Sequence, residues 1–497
     1  MDESPTPPSV LVVGGGVSGL AAAHRLRTRL GDAAAVTVVE SARSLGGKLA
    51  AVELGGRRVD VGAEAFLVRR PEAAARIAEL GLTDDLVHPG VASSLVRAGG
   101  ANHRLPGRTV LGVPSDPGAV SELLSASGRA ALAAEEHLPA VAWTPGDDAS
   151  VGALLRARTG DEVVDRLVDP LLGGVYAGRP DTLGLRATIP ALAEALDAGA
   201  GSVLAAARAG LPAAPPDGTA PAPVFGTLRH GLADLPGALA LAARAEIVLG
   251  ATVTALDRVT DGWEVTLDAG GTRSARRVDA VVLAVPAPAL RRLLAGLAPH
   301  AAAAAGEIEL ASSVVVALAV PATADLGANS GVLLGAGERR PDGRGWTVKA
   351  LTFSSVKWPH LAPAPVAPGD DATAVLRASI GRHGDTGTLQ RDDDDLLAAT
   401  RDDLRLLTGL DAEPVETAVM RWGGGLPQYG VGHTDRVAAI EWGVARLPGL
   451  AVAGAALHGV GVPACLATGD AAAERVAAHL AALAPARGSG TMEPWPG

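Results

Sequence analysis

The chain has 497 residues, 48% of them hydrophobic but only 2% aromatic, and its 43 basic and 54 acidic residues give a formal charge of −11. That length allows roughly two to four domains around a large core. The acidic balance argues against a nucleic-acid partner but not against an anionic substrate, since a few local arginines outweigh surface charge screened over about 8 Å.

The first residues, "MDESPTPPSV", lack the apolar h-region of a signal peptide. Residues 10–40 then read strand, turn, helix, strand: "VLVV", "GGGVSG", "LAAAHRLRTRL", "VTVVE". The turn sets Gly14, Gly16 and Gly19 in GxGxxG spacing, with Gly15, Val17 and Ser18 between them. Gly14 permits the tight turn, Gly16 lets backbone approach a pyrophosphate, and Gly19 lets helix and strand pack closely. The helix N-terminus offers free amides and partial positive charge. Glu40, 21 residues after Gly19 at the end of the next strand, is placed to accept hydrogen bonds from ribose hydroxyls. The turn alone does not say which dinucleotide it holds.

Beyond "SLGGKL", the segments "AAVEL" and "RRVDVG" predict a hairpin turned at Gly55–Gly56. Residues 70–210 read as mostly helical, with breaks such as "GVPSDP", and "LPAAPPDGTAPAP" (211–223) reads as a loop or linker. Short strands fill 245–286, ending in "AVVLAV" before Pro286. Further strands fall at 312–320 and 346–353, "PVAPGDD" reads as a loop, and a helix covers 392–408. The C-terminal "GLAVAGAALHGVGVPACLATGDAAAERVAAHLAAL" reads strand, glycine turn, long helix, before a frayed tail. No run of about 18 uncharged apolar residues occurs, so a cytoplasmic protein without a membrane span is expected. The lone Cys465 excludes an intrachain disulfide framework and a Cys-based zinc site, and no metal is expected.

Gly46 and Gly47 resemble the second glycine pair of FAD oxidases of the amine-oxidase type, where backbone meets the extended cofactor again. Ser41, Arg43, Gly47 and Lys48 fall in that cofactor-binding stretch, although Ser44 stands where the family carries Arg directly before Leu-Gly-Gly. "VDVGAEAFLVRRPE" resembles the segment that passes over the flavin, which implies Gly62, Ala63, Glu64 and Ala65 against the isoalloxazine. The resemblance also implies Val253 backbone at the adenine and Trp422 lining the site. It sets Val460, Gly461 and Val462 at a helix start aimed at the flavin's pyrimidine edge, where negative charge develops on reduction.

More narrowly, "GGGVSGLAAAHRL", "LGGKL", "DVGAEAFL", "GVPSDP", "LLGGVYAGRPDTL", "LTFSSVKWPH" and "MRWGGGLPQYGVGH", in this order, resemble the flavin-dependent protoporphyrinogen/coproporphyrinogen oxidases of haem biosynthesis. That resemblance implies one non-covalent FAD per chain and six-electron oxidation of a tetrapyrrole, with dioxygen giving hydrogen peroxide. The expected fold class is α/β: a Rossmann-like, discontinuous FAD-binding domain (8–68, 225–290, 418–485) beside a mixed α+β substrate domain (69–89, 291–417). A helical insertion (90–212), which in some relatives sits on the membrane, and a disordered tail (486–497) complete it.

Since hydride goes to flavin N5, the protein has chiefly to position a flat ring and hold its propionates. Arg69 and Arg70 match the place where relatives hold a basic residue near the substrate; the alternative is a surface pair at a helix start. Arg179, Lys349, Lys357 and Arg421 are secondary candidates. His433 and His458 are candidate proton acceptors, His458 lying in the flavin-closing turn, though loop histidines are more often structural. Cys465 sits where the family binds FAD non-covalently, and Tyr176 reads as packing. The acidic, span-free chain favours coproporphyrinogen III, with four propionates, over protoporphyrinogen IX, with two. A flavin amine oxidase and a non-catalytic flavoprotein scaffold are the other readings. Peripheral membrane contact and contact with other haem-pathway enzymes stay open.

Overall fold

The computed structural model describes residues 7–91, 93–212, 222–363 and 372–488. Most of the 211–223 stretch, all of "PVAPGDD" and the tail beyond Gly488 lie outside the described residues. A five-stranded sheet, wholly parallel, has the order Glu246–Leu249, Ala35–Glu40, Ser9–Val13, Ala280–Leu283, Leu450–Val452. Its strands are apolar on both sides, as a sheet covered on both faces demands. Val10, Val12, Val38 and Val282 point to one core, and Leu11, Val13, Val39 and Val281 to the other.

The first core lies under the N-terminal helix (Val17–Leu30) and the C-terminal helix (Val462–Gly488). These two helices run close because small residues line the seam: a Cβ on Gly469 would stand 2.3 Å from the Ser18 carbonyl oxygen. The second core lies under an antiparallel meander, Ala251–Val259, Gly262–Ala269 and Thr272–Val278, and under helices Ala287–Leu294, Pro299–Gly306 and His433–Ala445. The buried strand before Pro286 ends at Leu283, and Pro286 caps the helix that follows.

A seven-stranded mixed sheet forms the other half, in the order Glu416–Pro427, Leu310–Pro321, Thr373–Ile380, Val348–Thr352, Gly331–Leu334, Leu95–Ala98, Ala101–Arg104. Helix Asp393–Thr408 packs Leu396, Leu404 and Leu407 on one face. On the other face, Ala317, Ala319 and Val375 meet Leu54 and Val59 of the expected hairpin. That hairpin turns at Gly55 and Gly56 with φ of +58° and +68°, the left-handed geometry of a tight two-residue turn.

Two differences from the sequence reading concern strand pairing. Residues 95–104, expected within the helical stretch, are a hairpin at the sheet edge, turned at Gly99 and Gly100 with φ of +58° and +82°. A Gly-Gly between short alternating runs was its signal. Strand Glu416–Pro427, grouped by sequence with the C-terminal dinucleotide elements, pairs instead with Leu310–Pro321. The C-terminal helix also continues to Gly488, through the first residues of the expected disordered tail. The remaining helices between 117 and 209 share a core with Val96, Val113 and Tyr429. No described helix is long and apolar enough to cross a membrane.

Candidate functional site

A cavity of about 800 Å³, counted with its open mouth, lies where the two sheets meet. Gly16, Val17 and Ser18 line it at the start of the N-terminal helix, and Val460, Val462 and Cys465 at the start of the C-terminal helix. Gly16 caps the first helix without a side-chain hydrogen bond, so the first-turn amides stay available. Two helix N-termini therefore converge on one cavity and make it electropositive without a surface full of basic side chains.

The glycines divide into two kinds. A Cβ on Gly19 would stand 1.9 Å from the Gly14 carbonyl oxygen, and one on Gly14 2.3 Å from that of Ala284, so both serve close packing. A Cβ on Gly16 would meet nothing within 4 Å; it would project into open space beside the cavity-lining backbone. Gly47, at φ +57°, stacks over Gly16 with 3.3 Å from its Cβ position to the Gly16 Cα, and Gly46 pairs with Gly16 as an isolated bridge. The Glu40 carboxylate accepts from the amides of Gly15 and Ala42, each at 2.7 Å, and from Ser41 Oγ. Arg43 is exposed on the loop after Glu40.

The segment from Asp60 to Ala65 passes the cavity, with Ala63 in its wall. Trp422 donates its indole N–H to the Val61 carbonyl, and Arg377 donates to the carbonyls of Asp60 and Gly62. The Glu64 carboxylate, 11% exposed, accepts from Lys357 Nζ at 2.6 Å and pairs with Arg377 at 3.4 Å. Burial alone would raise the Glu64 pKa, but Arg377 and Lys357 outweigh it and hold the group at about 2. Asp60 goes the other way: burial pushes it up to about 6, against the amides of Leu232 and Ala233 and the Arg377 charge. Lys48 reaches solvent through the cavity and is otherwise enclosed, which lowers its pKa from the ordinary lysine value. The spacing of the first glycines, the two converging helix N-termini and a cavity lined by residues of both glycine motifs fit an extended dinucleotide.

A family model described as flavin containing amine oxidoreductase matches residues 17–477. The chain belongs to that family. It is 44% identical over 473 residues to the coproporphyrinogen III oxidase of Mycobacterium leprae, covering 95% of this chain and 99% of the relative. It is 46% identical over 461 residues to the protein of the same name from Mycobacterium tuberculosis, covering 93% and 95%. A crystal structure of a provisionally assigned protoporphyrinogen oxidase from Exiguobacterium sp. 255-15 superposes with a TM-score of 0.80 at 28% identity, over 96% of this chain and all of that one. The chain is thus a flavin-dependent oxidoreductase of the porphyrinogen-oxidase branch.

In this flavoprotein Gly16, Val17, Ser18, Gly47, Lys48, Ala63, Val460 and Val462 share one cavity wall. The Val253 carbonyl accepts from Arg292 at 2.9 Å, next to a β-bulge. Trp422 stands outside the lining and acts on it through Val61. Arg69 is exposed, and Arg70 is exposed and bonded to Glu72. Arg179 donates to the His383 carbonyl, and Arg421 pairs with Asp393. His433 is buried, stacked on Tyr429 at 3.8 Å and hydrogen-bonded to the Leu457 carbonyl, and burial lowers its pKa to about 4.

His458 does not face the cavity. Its ring is 56% exposed and sits 2.6 Å from Glu441 on helix His433–Ala445. His458→Ala is expected to keep kcat within about twofold in steady-state assays, where loss of a general base costs about 10²- to 10⁴-fold. The sequence reading missed Ala284–Ala287, Leu310, Gly424, Gly425, Pro427 and Gly454–Ala456 in the lining. "AVVLAVPAPAL", a strand running into proline and a helix, was a signal for the first group. Nothing in the sequence pointed to Arg377 as the partner of Glu64.

Proposed function

We propose that the chain is an FAD-dependent oxidase that converts coproporphyrinogen III to coproporphyrin III, using dioxygen and releasing hydrogen peroxide. The observation that carries this reading is the agreement over nearly the whole chain with relatives of that activity name. The cavity at the two helix N-termini supports it independently. FAD, when bound, supplies the hydride acceptor and the route by which electrons leave to dioxygen.

The chain's own residues bind and orient. Backbone amides around Gly16–Ser18 hold the pyrophosphate, and the Val460–Val462 helix start holds negative charge at the pyrimidine edge. Glu40, fixed by two amides, receives the ribose hydroxyls. Gly62–Ala65 lie against the isoalloxazine, pinned from behind by Arg377, Lys357 and Trp422. One non-covalent FAD per chain is part of the proposal; burial raises the Cys465 pKa, which disfavours the reactive thiolate. Arg69 and Arg70 remain the proposed propionate contacts. Arg70 already shares its charge with Glu72, which makes Arg69 the stronger of the two. A cytoplasmic site of action is part of the proposal.

The test supplies purified protein anaerobically with coproporphyrinogen III or protoporphyrinogen IX, then admits air and follows porphyrin fluorescence against a no-enzyme control. Faster porphyrin formation from coproporphyrinogen III is expected. A preference for protoporphyrinogen IX would move the substrate, and a flavin left oxidised by both would remove the porphyrinogen reading.

A further inference from the structure

The chain has three lysines, Lys48, Lys349 and Lys357, among its 43 basic residues. Arginine supplies every other cation, yet none of the lysines is an ordinary surface residue. Lys48 lines the cofactor cavity, Lys357 pairs with Glu64, and Lys349, only 6% exposed, has no hydrogen-bond acceptor or ion-pair partner among the described residues. An ammonium this enclosed, meeting only the space of a small cavity and no acceptor, is costly, and it is tolerated where an anion is to be received.

Lys349 occupies a β-bulge. Val348 pairs with Ile380 and Ala350 with Ser379, so Lys349 is the extra residue, and bulges re-aim a side chain out of the regular alternation. The neighbouring charge that acts on it is Arg382, just past the end of strand Thr373–Ile380. Arg382 is fixed: it donates to the Leu334 carbonyl at 2.6 Å and stands 3.3 Å from Asp169. Gly173 leaves room for it, since a Cβ there would lie 2.0 Å from Arg382 Nη1. The Asp169 carboxylate thus pairs with Arg382 and leaves Lys349 without a counter-ion among the described residues.

Lys349 and Arg382 line a small cavity of about 390 Å³, open at one side. Two acids share the lining, but their carboxylates are engaged elsewhere: Glu338 accepts from the amides of Gly99 and Gly100, and Asp385 from that of Thr388. Helix Asp169–Tyr176 links this place to the cofactor. Gly174 faces Leu333, and the Tyr176 carbonyl accepts from Gln428, the neighbour of cavity-lining Pro427.

We propose that Lys349 and Arg382 form a buried cation pair that receives one propionate carboxylate of the substrate and so sets the preference for the four-carboxylate porphyrinogen. This rests on the porphyrinogen reading above. Burial and the Arg382 charge lower the Lys349 pKa to about 7, and an incoming carboxylate would restore its charge.

The test compares wild type, Lys349→Met and Lys349→Arg, each as holoenzyme with flavin content checked, on coproporphyrinogen III and protoporphyrinogen IX. For Lys349→Met the ratio of kcat/KM for coproporphyrinogen over protoporphyrinogen is expected to fall at least about tenfold, mainly through KM, with partial recovery in Lys349→Arg. An unchanged ratio in flavin-loaded Lys349→Met overturns the proposal. If wild type oxidises neither substrate, it is the function reading that fails. A second measurement needs no variant: acylation of wild-type holoenzyme by a small amine reagent, with the lysines read by mass spectrometry. Coproporphyrin III is expected to protect Lys349 several-fold and its tetramethyl ester not to; equal labelling with and without coproporphyrin III also overturns the clamp.

Discussion

Gly16→Leu is expected to purify folded and colourless, and Gly19→Ala to fold poorly. Both residues belong to one glycine motif, but their surroundings differ. Gly16 has φ −75° and ψ 175°, extended backbone that any residue adopts, and nothing lies within 4 Å of its Cβ position. A leucine there costs the fold little and puts an isobutyl group where the pyrophosphate is proposed to meet backbone. At Gly19 a single methyl overlaps the Gly14 carbonyl at 1.9 Å, and forcing strand and helix apart costs about 1–3 kcal/mol or more. The check is flavin absorbance per protein after desalting, together with a circular-dichroism melt. Flavin content in Gly16→Leu is expected below about a tenth of wild type, a loss of at least about 1.4 kcal/mol in affinity. A fully yellow Gly16→Leu protein would falsify the pyrophosphate placement.

Glu64→Gln should be among the most destabilising conservative changes in the molecule. It leaves Lys357 and Arg377, 17% and 14% exposed, without the carboxylate that pairs with both, and breaking a buried pair costs about 3–5 kcal/mol. Adding Lys357→Met should recover part of that loss, since removing both charges is less costly than orphaning one. Denaturant midpoints of the two singles and the double measure this coupling. The same cluster sets a pH signature. Glu64 has its folded pKa depressed to about 2, so its contribution is full above the ordinary glutamate pKa and is lost as pH falls from there toward 2. Asp60 has its folded pKa raised to about 6, so stability declines as pH rises from about 4 through 6. Wild type should therefore lose less stability between pH 6 and 4.5 than Asp60→Asn, which keeps the acid-side losses at Glu64 and His433 but lacks the opposing Asp60 trend.

The parts of this fold that local chemistry dictates were legible in the sequence. The GxGxxG turn, Glu40 at its strand end, the Gly55–Gly56 hairpin and the strand–turn–helix closing at Val462 all follow from residue type at fixed spacing. Partners brought together across hundreds of residues were not legible. Arg377 reaches Glu64 because strand Thr373–Ile380 lies beside strand Leu310–Pro321, whose far face carries the Gly55–Gly56 hairpin. His458 shows the converse. Its position in a glycine-rich turn beside the flavin site suggested chemistry, but the direction of one side chain, toward Glu441, is a tertiary fact that spacing does not encode.

The parallel sheet beside the cavity draws its strands from the first, middle and last parts of the chain, and this governs how the protein comes into being. Helix Val17–Leu30 leaves the ribosome with Leu20, Ala22 and Leu26 bare, and its cover, helix Val462–Gly488, follows more than four hundred residues later. At about 5–20 residues per second that is an interval of about 20–90 s, during which that face of the helix lacks its C-terminal partner. The second helix start at the cavity arrives with that same late segment, so a truncated chain has only half of the electropositive cradle. Cofactor loading thereby reports that synthesis has run through helix Val462–Gly488.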